Sequence, residues 1–329
     1  MNDRPNIDRR RLMLAMAGAP LGPLLAGPAR AAEAFPQRVV RVVVPFPPGG
    51  ATDALARQMA EQLALRWQQP VVVENKPGGN TMIGTDTVAR AAPDGHTIGL
   101  VTGSHIINPL LTDKIPYDTQ RDLRPVMLLT RFHMALYAHP SFAAKNPQEL
   151  VELARREQGR LPYAYATTQS YLGMELFNSM AGIRMQGVPY KGSAQAMTDL
   201  LGGHIGLLLD PLAPSALEHV RSGKLRLLAT MGAQPSELAP QAPVAASVAP
   251  GYDFSGAFGL VVPGATPDDR VQRIRDDFAA VLNLPQVLAR VREIGQEPIA
   301  STPQAYGAYL VAERGKWEPI VRATGARLD

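Results

Sequence analysis

The chain has 329 residues, of which 46% are hydrophobic and 19% are charged, a composition that suits globular folding and argues against intrinsic disorder. Its formal charge of +4 falls to about +1 without residues 1–31, which hold five arginines and two aspartates, so no field strong enough to favour nucleic-acid binding is expected. The absence of cysteine excludes disulfides, thiolate catalysis and cysteine-ligated metals.

The N-terminal segment has the features of an export signal. Arg9, Arg10 and Arg11 precede a short apolar run, and Ala-x-Ala cleavage sites follow at Ala31 and Ala34. The run is too short and too interrupted for a spanning helix, which needs roughly 20 apolar residues. The arginines resemble a twin-arginine signal, and a Sec signal with an additional arginine stays open. We therefore expect cleavage near Ala31 or Ala34 and a soluble mature protein in the periplasm.

The first strand and helix are predicted by their apolar spacing. Branched apolar residues run from Val39 to Val44, which is typical of a strand buried on both faces of a parallel sheet. In the next segment apolar residues recur every four positions, at Leu55, Met59, Leu63 and Trp67. This spacing predicts an amphipathic helix.

The same alternation continues to the C-terminus. We predict strands at residues 71–73, 97–101, 163–166, 205–209, 225–229 and 259–262. We predict helices at about residues 82–91, from 146 onward, after 170, at 215–222, after 266 and at 304–322. Strands that alternate with helices indicate βαβ units, and therefore an α/β fold with mostly parallel sheets flanked by helices.

Individual residues predict three details of these helices. Asn146, with Pro147 after it and Glu149 at the third position, predicts a helix start through a capping box. Thr266 is expected to cap a later helix together with a proline at 267. Met180 is expected on the buried face of its helix, because it follows Leu172 and Leu176 at intervals of four.

The loop PFPPGGATD, which joins the first strand to the first helix, matches neither the dinucleotide fingerprint nor the triphosphate loop. Adjacent glycines leave backbone N–H groups exposed at a helix N-terminus, where the helix dipole favours an anion. A carboxylate on the amides of Gly49 and Gly50 fits this modest charge. The alternative is that the glycines only turn the chain and that Thr52 or Asp53 only caps the helix.

Similar loops follow other predicted strands. They read PGGN after Val73, TGSH after Val101 and TTQS after Ala166, and Asp210 follows Leu209. In open parallel sheets ligands bind at these carboxyl ends. Glycines and hydroxyl groups supply neutral hydrogen-bond donors, which favours ligand binding over chemistry.

Several long motifs together resemble one family. These motifs are FPQRVVRVVVPFPPGGATD, QPVVVENKPGG, VPYKGSAQAMTDLLGGHIGLLLD and AERGKWEPIVRATGARLD. From end to end of the mature chain, they resemble the Bug family of periplasmic substrate-binding proteins of tripartite tricarboxylate transporters. The resemblance implies a two-lobed type II periplasmic binding protein with a ligand cleft between the lobes. One lobe would comprise residues 35–134 plus 256–329 and the other residues 135–255, with two crossover strands between them.

The resemblance also implies the site residues. The first binding loop corresponds to Phe46, Pro48, Gly49, Gly50, Thr52 and Asp53, and it is intact. The second corresponds to Thr167, Thr168, Gln169, Ser170 and Tyr171. It departs from the family, because Tyr171 stands where histidine is usual and larger residues replace glycine, which implies a smaller or aromatic-lined pocket.

Thr102 and Ser104 of the TGSH loop complete the predicted ligand-binding set, together with Asp210. Asp210 would either accept a hydrogen bond from a ligand amine or hydroxyl or cap the next helix. The expected partners are a small organic carboxylate and the membrane subunits of a tripartite tricarboxylate transporter, with the receptor itself a monomer.

Two other functions stay open. A hydrolase would use Ser104 and His105, although adjacent residues in a turn rarely pair as nucleophile and base. A sensor module would present its bound carboxylate to a membrane receptor kinase. The six histidines show no metal-binding spacing and no G-x-S-x-G elbow occurs, so we expect no cofactor, no metal and no enzymatic activity.

Overall fold

The computed structural model describes residues 35–49, 51–190 and 192–328. The predicted export signal and the predicted site residue Gly50 lie outside these ranges.

Strands and helices alternate along most of the described residues. The strands are β1 (Val40–Val44), β2 (Val71–Asn75), β3 (Thr97–Val101), β4 (Leu123–Ala138), β5 (Pro162–Tyr165), β6 (Gln186–Pro189), β7 (Leu207–Pro211), β8 (Arg226–Thr230), β9 (Ser255–Pro263) and β10 (Gln296–Pro298). The helices are α1 (Ala51–Trp67), α2 (Met82–Ala89), α3 (Ser104–Leu111), α4 (Pro147–Glu157), α5 (Thr168–Ala181), α6 (Ser193–Leu201), α7 (Pro214–Arg221), α8 (Asp268–Leu282), α9 (Pro285–Glu293) and α10 (Pro303–Thr324).

Two groups of parallel strands confirm the predicted βαβ units. β1 lies between β2 and β3 and is parallel to both. β5 lies between β6 and β7 and is likewise parallel to both. In each group the connecting helices leave from the carboxyl ends of the strands, so their N-termini point to one edge of the sheet.

The long strand β4 joins the two groups by antiparallel pairing. Its first half pairs with β9 and β10, and its second half pairs with β7 and β8. The resulting strand order is β2-β1-β3-β9-β4-β7-β5-β6. The fold is therefore the two-lobed α/β architecture, and the residue bounds given above for each lobe stay a prediction.

Several elements have no counterpart among the predicted ones, namely α3, β4, α6, β6, α9 and β10. β4 lacks a clear alternation because Pro125, Arg131 and His133 interrupt its apolar residues. β9 begins at Ser255, four residues earlier than predicted, and this extension brings it alongside the middle of β4.

The predicted apolar face of α1 is buried. Leu55, Met59 and Leu63 are at most 1% exposed, and the Trp67 ring packs on Phe278 of α8 with centroids 6.3 Å apart. Met180 is the exception to the predicted pattern, since it is 38% exposed near the end of α5. Met180 lies in the last turn of α5, one residue before the helix ends at Ala181.

The start of α4 is confirmed and the start of α8 differs from its prediction. The Asn146 side chain accepts a hydrogen bond from the Glu149 amide at 2.9 Å, and the Glu149 carboxylate accepts one from the Asn146 side chain at 2.8 Å. Thr266 does not cap α8, because its hydroxyl donates instead to the carbonyl of Pro263 at 2.7 Å. This bond closes the turn that follows β9.

Candidate functional site

A cavity of about 390 Å³ is lined by both groups of strands and by β4 and β9. Its lining residues are Phe46, Thr52, Asn80, Thr81, Thr102, Ser104, Phe132, Met134, Thr167, Thr168, Gln169, Ser170, Ser193, Asp210, Pro211, Leu212, Ala213, Phe254, Phe258, Ile294, Gly295 and Gln296. We call this space the central cavity. Its volume falls within the range of about 300–1,000 Å³ that is usual for small-molecule pockets.

Six helices begin at the wall of the central cavity. The lining residues at these starts are Thr52 in α1, Thr81 before α2, Ser104 in α3, Thr167 before α5, Ser193 in α6 and Ala213 before α7. The first turn of a helix has unpaired N–H groups and the positive end of the helix dipole. Six such ends around one space make the central cavity electrostatically suited to an anion.

The start of α5 is held in a fixed conformation by its own side chains. The Thr167 hydroxyl accepts a hydrogen bond from the Ser170 amide at 3.0 Å and is 2.9 Å from the Ser170 hydroxyl. The Gln169 side chain packs directly against Gly103, so a side chain at 103 would displace the end of the Gln169 side chain. The loops TGSH and TTQS therefore meet at the cavity, although they belong to different groups of strands.

Asp210 is the acidic residue of the central cavity. It lies near the end of β7, is 9% exposed, and accepts a hydrogen bond from the Ser193 hydroxyl at 2.6 Å. Burial raises the pKa of its carboxyl from 3.8 to about 6, partly offset by the bond from Ser193. Asp210 does not cap α7, because that helix begins after Ala213.

The first predicted binding loop has a different internal arrangement from the one expected. Gly49 has a φ of +90°, and its amide donates to the Asp53 carboxylate at 2.9 Å. Asp53 also accepts from Arg57 at 2.9 Å and from Asn75 at 3.0 Å. Gly49 and Asp53 do not line the central cavity, so in this structure the Gly49 amide serves the loop itself.

The predicted site residues thus divide into two groups. Those that line the central cavity are Phe46, Thr52, Thr102, Ser104, Thr167, Thr168, Ser170 and Asp210. Those described elsewhere are Pro48, Gly49, Asp53 and Tyr171. The Tyr171 ring packs 5.2 Å from the Tyr165 ring.

Sequence reasoning missed the apolar part of the lining. Phe132 comes from β4, Phe254 directly precedes β9 and Phe258 lies within β9, and no local periodicity marked them. Asn80 is the last residue of the PGGN loop, which the sequence did single out, and Thr81 follows it. The Asn80 side chain donates to that of Asn108 in α3 at 2.8 Å, which fixes its position.

The Ser104 and His105 side chains lie at different cavities. Ser104 lines the central cavity, whereas His105 lines a second space beside Thr119 and Arg314. Burial lowers the pKa of His105 to about 4, so its imidazole is neutral at pH 7. Among residues 35–49, 51–190 and 192–328, no three acidic or histidine side chains are grouped to hold a metal ion, and no helix is both long and apolar enough to cross a membrane.

The chain is similar to proteins of one family over nearly its whole length. The family model for the tripartite tricarboxylate transporter family receptor matches residues 55–326. BugT of Bordetella pertussis is 32% identical over 302 residues, which cover 90% of this chain and 92% of BugT.

Solved structures agree with this match. The R. palustris protein Rpa4515 with adipate has a TM-score of 0.78 at 31% identity, covering 89% of this chain and 100% of Rpa4515. MatC from Rhodopseudomonas palustris with bound malate has a TM-score of 0.74 at 29% identity, covering 87% of this chain and 100% of MatC.

Proposed function

Because the chain belongs to the tripartite tricarboxylate transporter receptor family, the Bug group of periplasmic binding proteins, we propose that it binds a small organic carboxylate in the central cavity and delivers it to the membrane subunits of such a transporter. The observation that carries this proposal is the convergence of six helix N-termini on one cavity. The ligands of Rpa4515 and MatC, adipate and malate, are both organic acids, which supports the ligand class.

The carboxylate would be held by neutral donors. Thr102 and Ser104 supply hydroxyls on one side of the cavity, and Thr168 and the first turn of α5 supply donors on the other. Closure of residues 135–255 onto residues 35–134 plus 256–329 would exclude water and strengthen these bonds, because a hydrogen bond is stronger at low dielectric. Gly49 and Asp53 contribute by shaping the loop that precedes Thr52.

The test is calorimetric titration of the purified protein with a panel of organic acids that includes malate and adipate. Ser104→Ala and Thr168→Val each remove a hydroxyl from the cavity and should weaken binding about 10- to 100-fold, since a hydrogen bond to a charged group contributes about 1.5–3 kcal/mol. Ser222→Ala removes an exposed hydroxyl outside the cavity and should leave the affinity unchanged. If no acid in the panel binds, or if all three variants bind as the wild type does, the proposal is wrong.

The location and assembly of the protein are part of the proposal. Residues 1–31 would direct export, so the mature N-terminus, read by mass spectrometry of periplasmic protein, should begin just after Ala31 or Ala34. The mature protein would be a monomer, which light scattering coupled to size exclusion can measure. Co-purification with the membrane subunits in the presence of ligand would test delivery to the transporter.

A further inference from the structure

The central cavity is lined by four phenylalanines in addition to its hydroxyl groups. They are Phe46, Phe132, Phe254 and Phe258, and Met134, Leu212 and Ile294 extend the same apolar surface. The Phe132 and Phe258 rings lie 5.3 Å apart with an interplanar angle of 36°. Phe254 is fully buried and held edge-on against Trp317 at 5.7 Å.

Phe46, Phe132 and Phe258 therefore form walls that a ligand in the cavity would contact, whereas the fully buried Phe254 supports the lining without an open surface. Aromatic rings at separations of 4.5–7 Å attract one another beyond the simple burial of area, so such walls favour a ring in the ligand. An ionised group placed against them would lose its water without gaining a partner, which is strongly unfavourable.

Charge in the cavity favours one acid group and not two. Among the described lining residues Asp210 is the only ionisable side chain, and the structure describes no Lys, Arg or His there. The helix N-termini and hydroxyls can stabilise one carboxylate. A second carboxylate near Asp210 would be repelled, whereas a hydroxyl or amino group could donate a hydrogen bond to it. Ser193 already satisfies one oxygen of Asp210, which leaves acceptor capacity on the carboxylate.

We infer that the ligand is an aromatic monocarboxylate that carries a hydroxyl or amino group, with its acid at the helix N-termini, its ring against the phenylalanines and its donor at Asp210. This inference rests on the proposed function and narrows its ligand class. It separates this chain from relatives solved with aliphatic dicarboxylates.

The experiment compares matched ligands by calorimetry on the wild-type protein. 3- and 4-hydroxybenzoate are each compared with the benzenedicarboxylate of the same geometry, isophthalate or terephthalate, so that only the second group on the ring differs. Malate, adipate and unsubstituted benzoate complete the panel. We expect at least one hydroxybenzoate to bind tenfold or more tightly than its dicarboxylate partner, malate and adipate, and several-fold more tightly than benzoate.

Asp210→Asn then tests the role assigned to the carboxylate. The amide still accepts a hydrogen bond but no longer repels an acid, so the preference for hydroxybenzoate over the matched dicarboxylate should fall at least fivefold. Thermal unfolding without ligand establishes that the variant is folded. The comparison of ligands on the wild-type protein does not depend on the variant.

The outcomes separate the two claims. Equal or tighter binding of a dicarboxylate to the wild type overturns the inference and leaves the proposed function standing. An unchanged preference in Asp210→Asn also overturns the inference. If none of the acids binds, the proposed function fails and the inference fails with it.

Discussion

At the scale of single residues, Asp210 combines burial with an acidic side chain. Its pKa of about 6 in the folded protein lies above the 3.8 of an exposed aspartate. The folded state therefore holds this proton more tightly than the unfolded chain. The resulting stabilisation is complete below pH 3.8 and is lost as pH rises through about 6.

Asp210→Asn cannot ionise, so it should remove this part of the pH dependence. We expect the variant to match the wild type near pH 4 and to exceed its free energy of unfolding at pH 7 by up to about 3 kcal/mol, from 1.36 kcal/mol per pKa unit. Urea denaturation at pH 4, 5, 6 and 7 measures the difference. Asp276→Asn, an exposed acid on α8, is the control. Wild-type and Asp210→Asn curves that stay parallel over this range would contradict the assignment.

Asp53 shows how one side chain can set the conformation of a loop. The bond from Arg57, together with those from Gly49 and Asn75, lowers the pKa of Asp53 to about 2 despite its burial. Because the pKa is lowered, the stabilisation is present above pH 3.8 and is lost only as pH falls toward 2. The ionised form therefore holds the loop throughout the physiological range.

Asp53→Ala should lower the free energy of unfolding by about 2 kcal/mol, because it removes the ionised acceptor of three hydrogen bonds. Chemical denaturation at pH 7 measures the change. Glu61→Ala, an exposed acid on the same helix, should cost less than about 0.5 kcal/mol. Equal effects of the two substitutions would show that Asp53 does not organise the loop.

At the scale of elements, α1 and α8 are joined by one buried acid. Asp277 of α8 is 2% exposed and accepts from the Trp67 indole at 2.6 Å and from Arg66 and Arg273 at 2.5 Å each. Two of these donors belong to the last turn of α1. The contact therefore fixes the C-terminal end of α1 while its N-terminal end lies at the central cavity.

Asp277→Ala removes the acceptor of a buried indole and two guanidinium groups, and we expect a loss of about 3 kcal/mol in the free energy of unfolding. Its neighbour Asp276, which is exposed, provides the control, and Asp276→Ala should cost no more than about 1 kcal/mol. Urea denaturation with tryptophan fluorescence reports both. A small loss for Asp277→Ala would mean that apolar packing alone holds the two helices together.

At the scale of the whole molecule, β4 connects the two groups of parallel strands, directly to β7 and through β9 to β3. It carries Phe132 and Met134 into the central cavity at the point where its pairing passes from β9 to β7. A ligand bound there contacts residues of both groups at once. Closure on the ligand would then occur by bending near this point.

Ligand binding should make the protein more compact and more stable. Small-angle scattering should give a smaller radius of gyration with a bound acid than without it. At a ligand concentration of 100 times Kd, the free energy of unfolding should rise by about 2.7 kcal/mol. The Ser104→Ala variant at the same ligand concentration provides the comparison. Stabilisation without compaction would indicate a receptor that is already closed before it binds.

Much of the fold could be predicted from the sequence because its signals are local. The spacing of Leu55, Met59 and Leu63 depends only on helix geometry, and the Asn146 cap depends only on a residue three positions away. The positions of the hydroxyl-bearing loops could also be predicted, because each loop directly follows a predicted strand. Within each group of parallel strands these loops must lie at one edge, but Thr102 and Ser104 meet Thr168 only because β4 brings the carboxyl ends of the two groups together.

Other features depend on which distant segments meet, and only the tertiary structure decided them. The phenylalanine walls exist because β9 pairs along its whole length with the first part of β4, and neither strand has a periodicity that predicts its partner. Asp53 accepts a hydrogen bond from Asn75 because β2 lies beside β1, and Asp210 has a raised pKa because β7 is buried. Hydrogen-bond partners and burial are set by long-range packing, whereas helix and strand periods are set by the backbone alone.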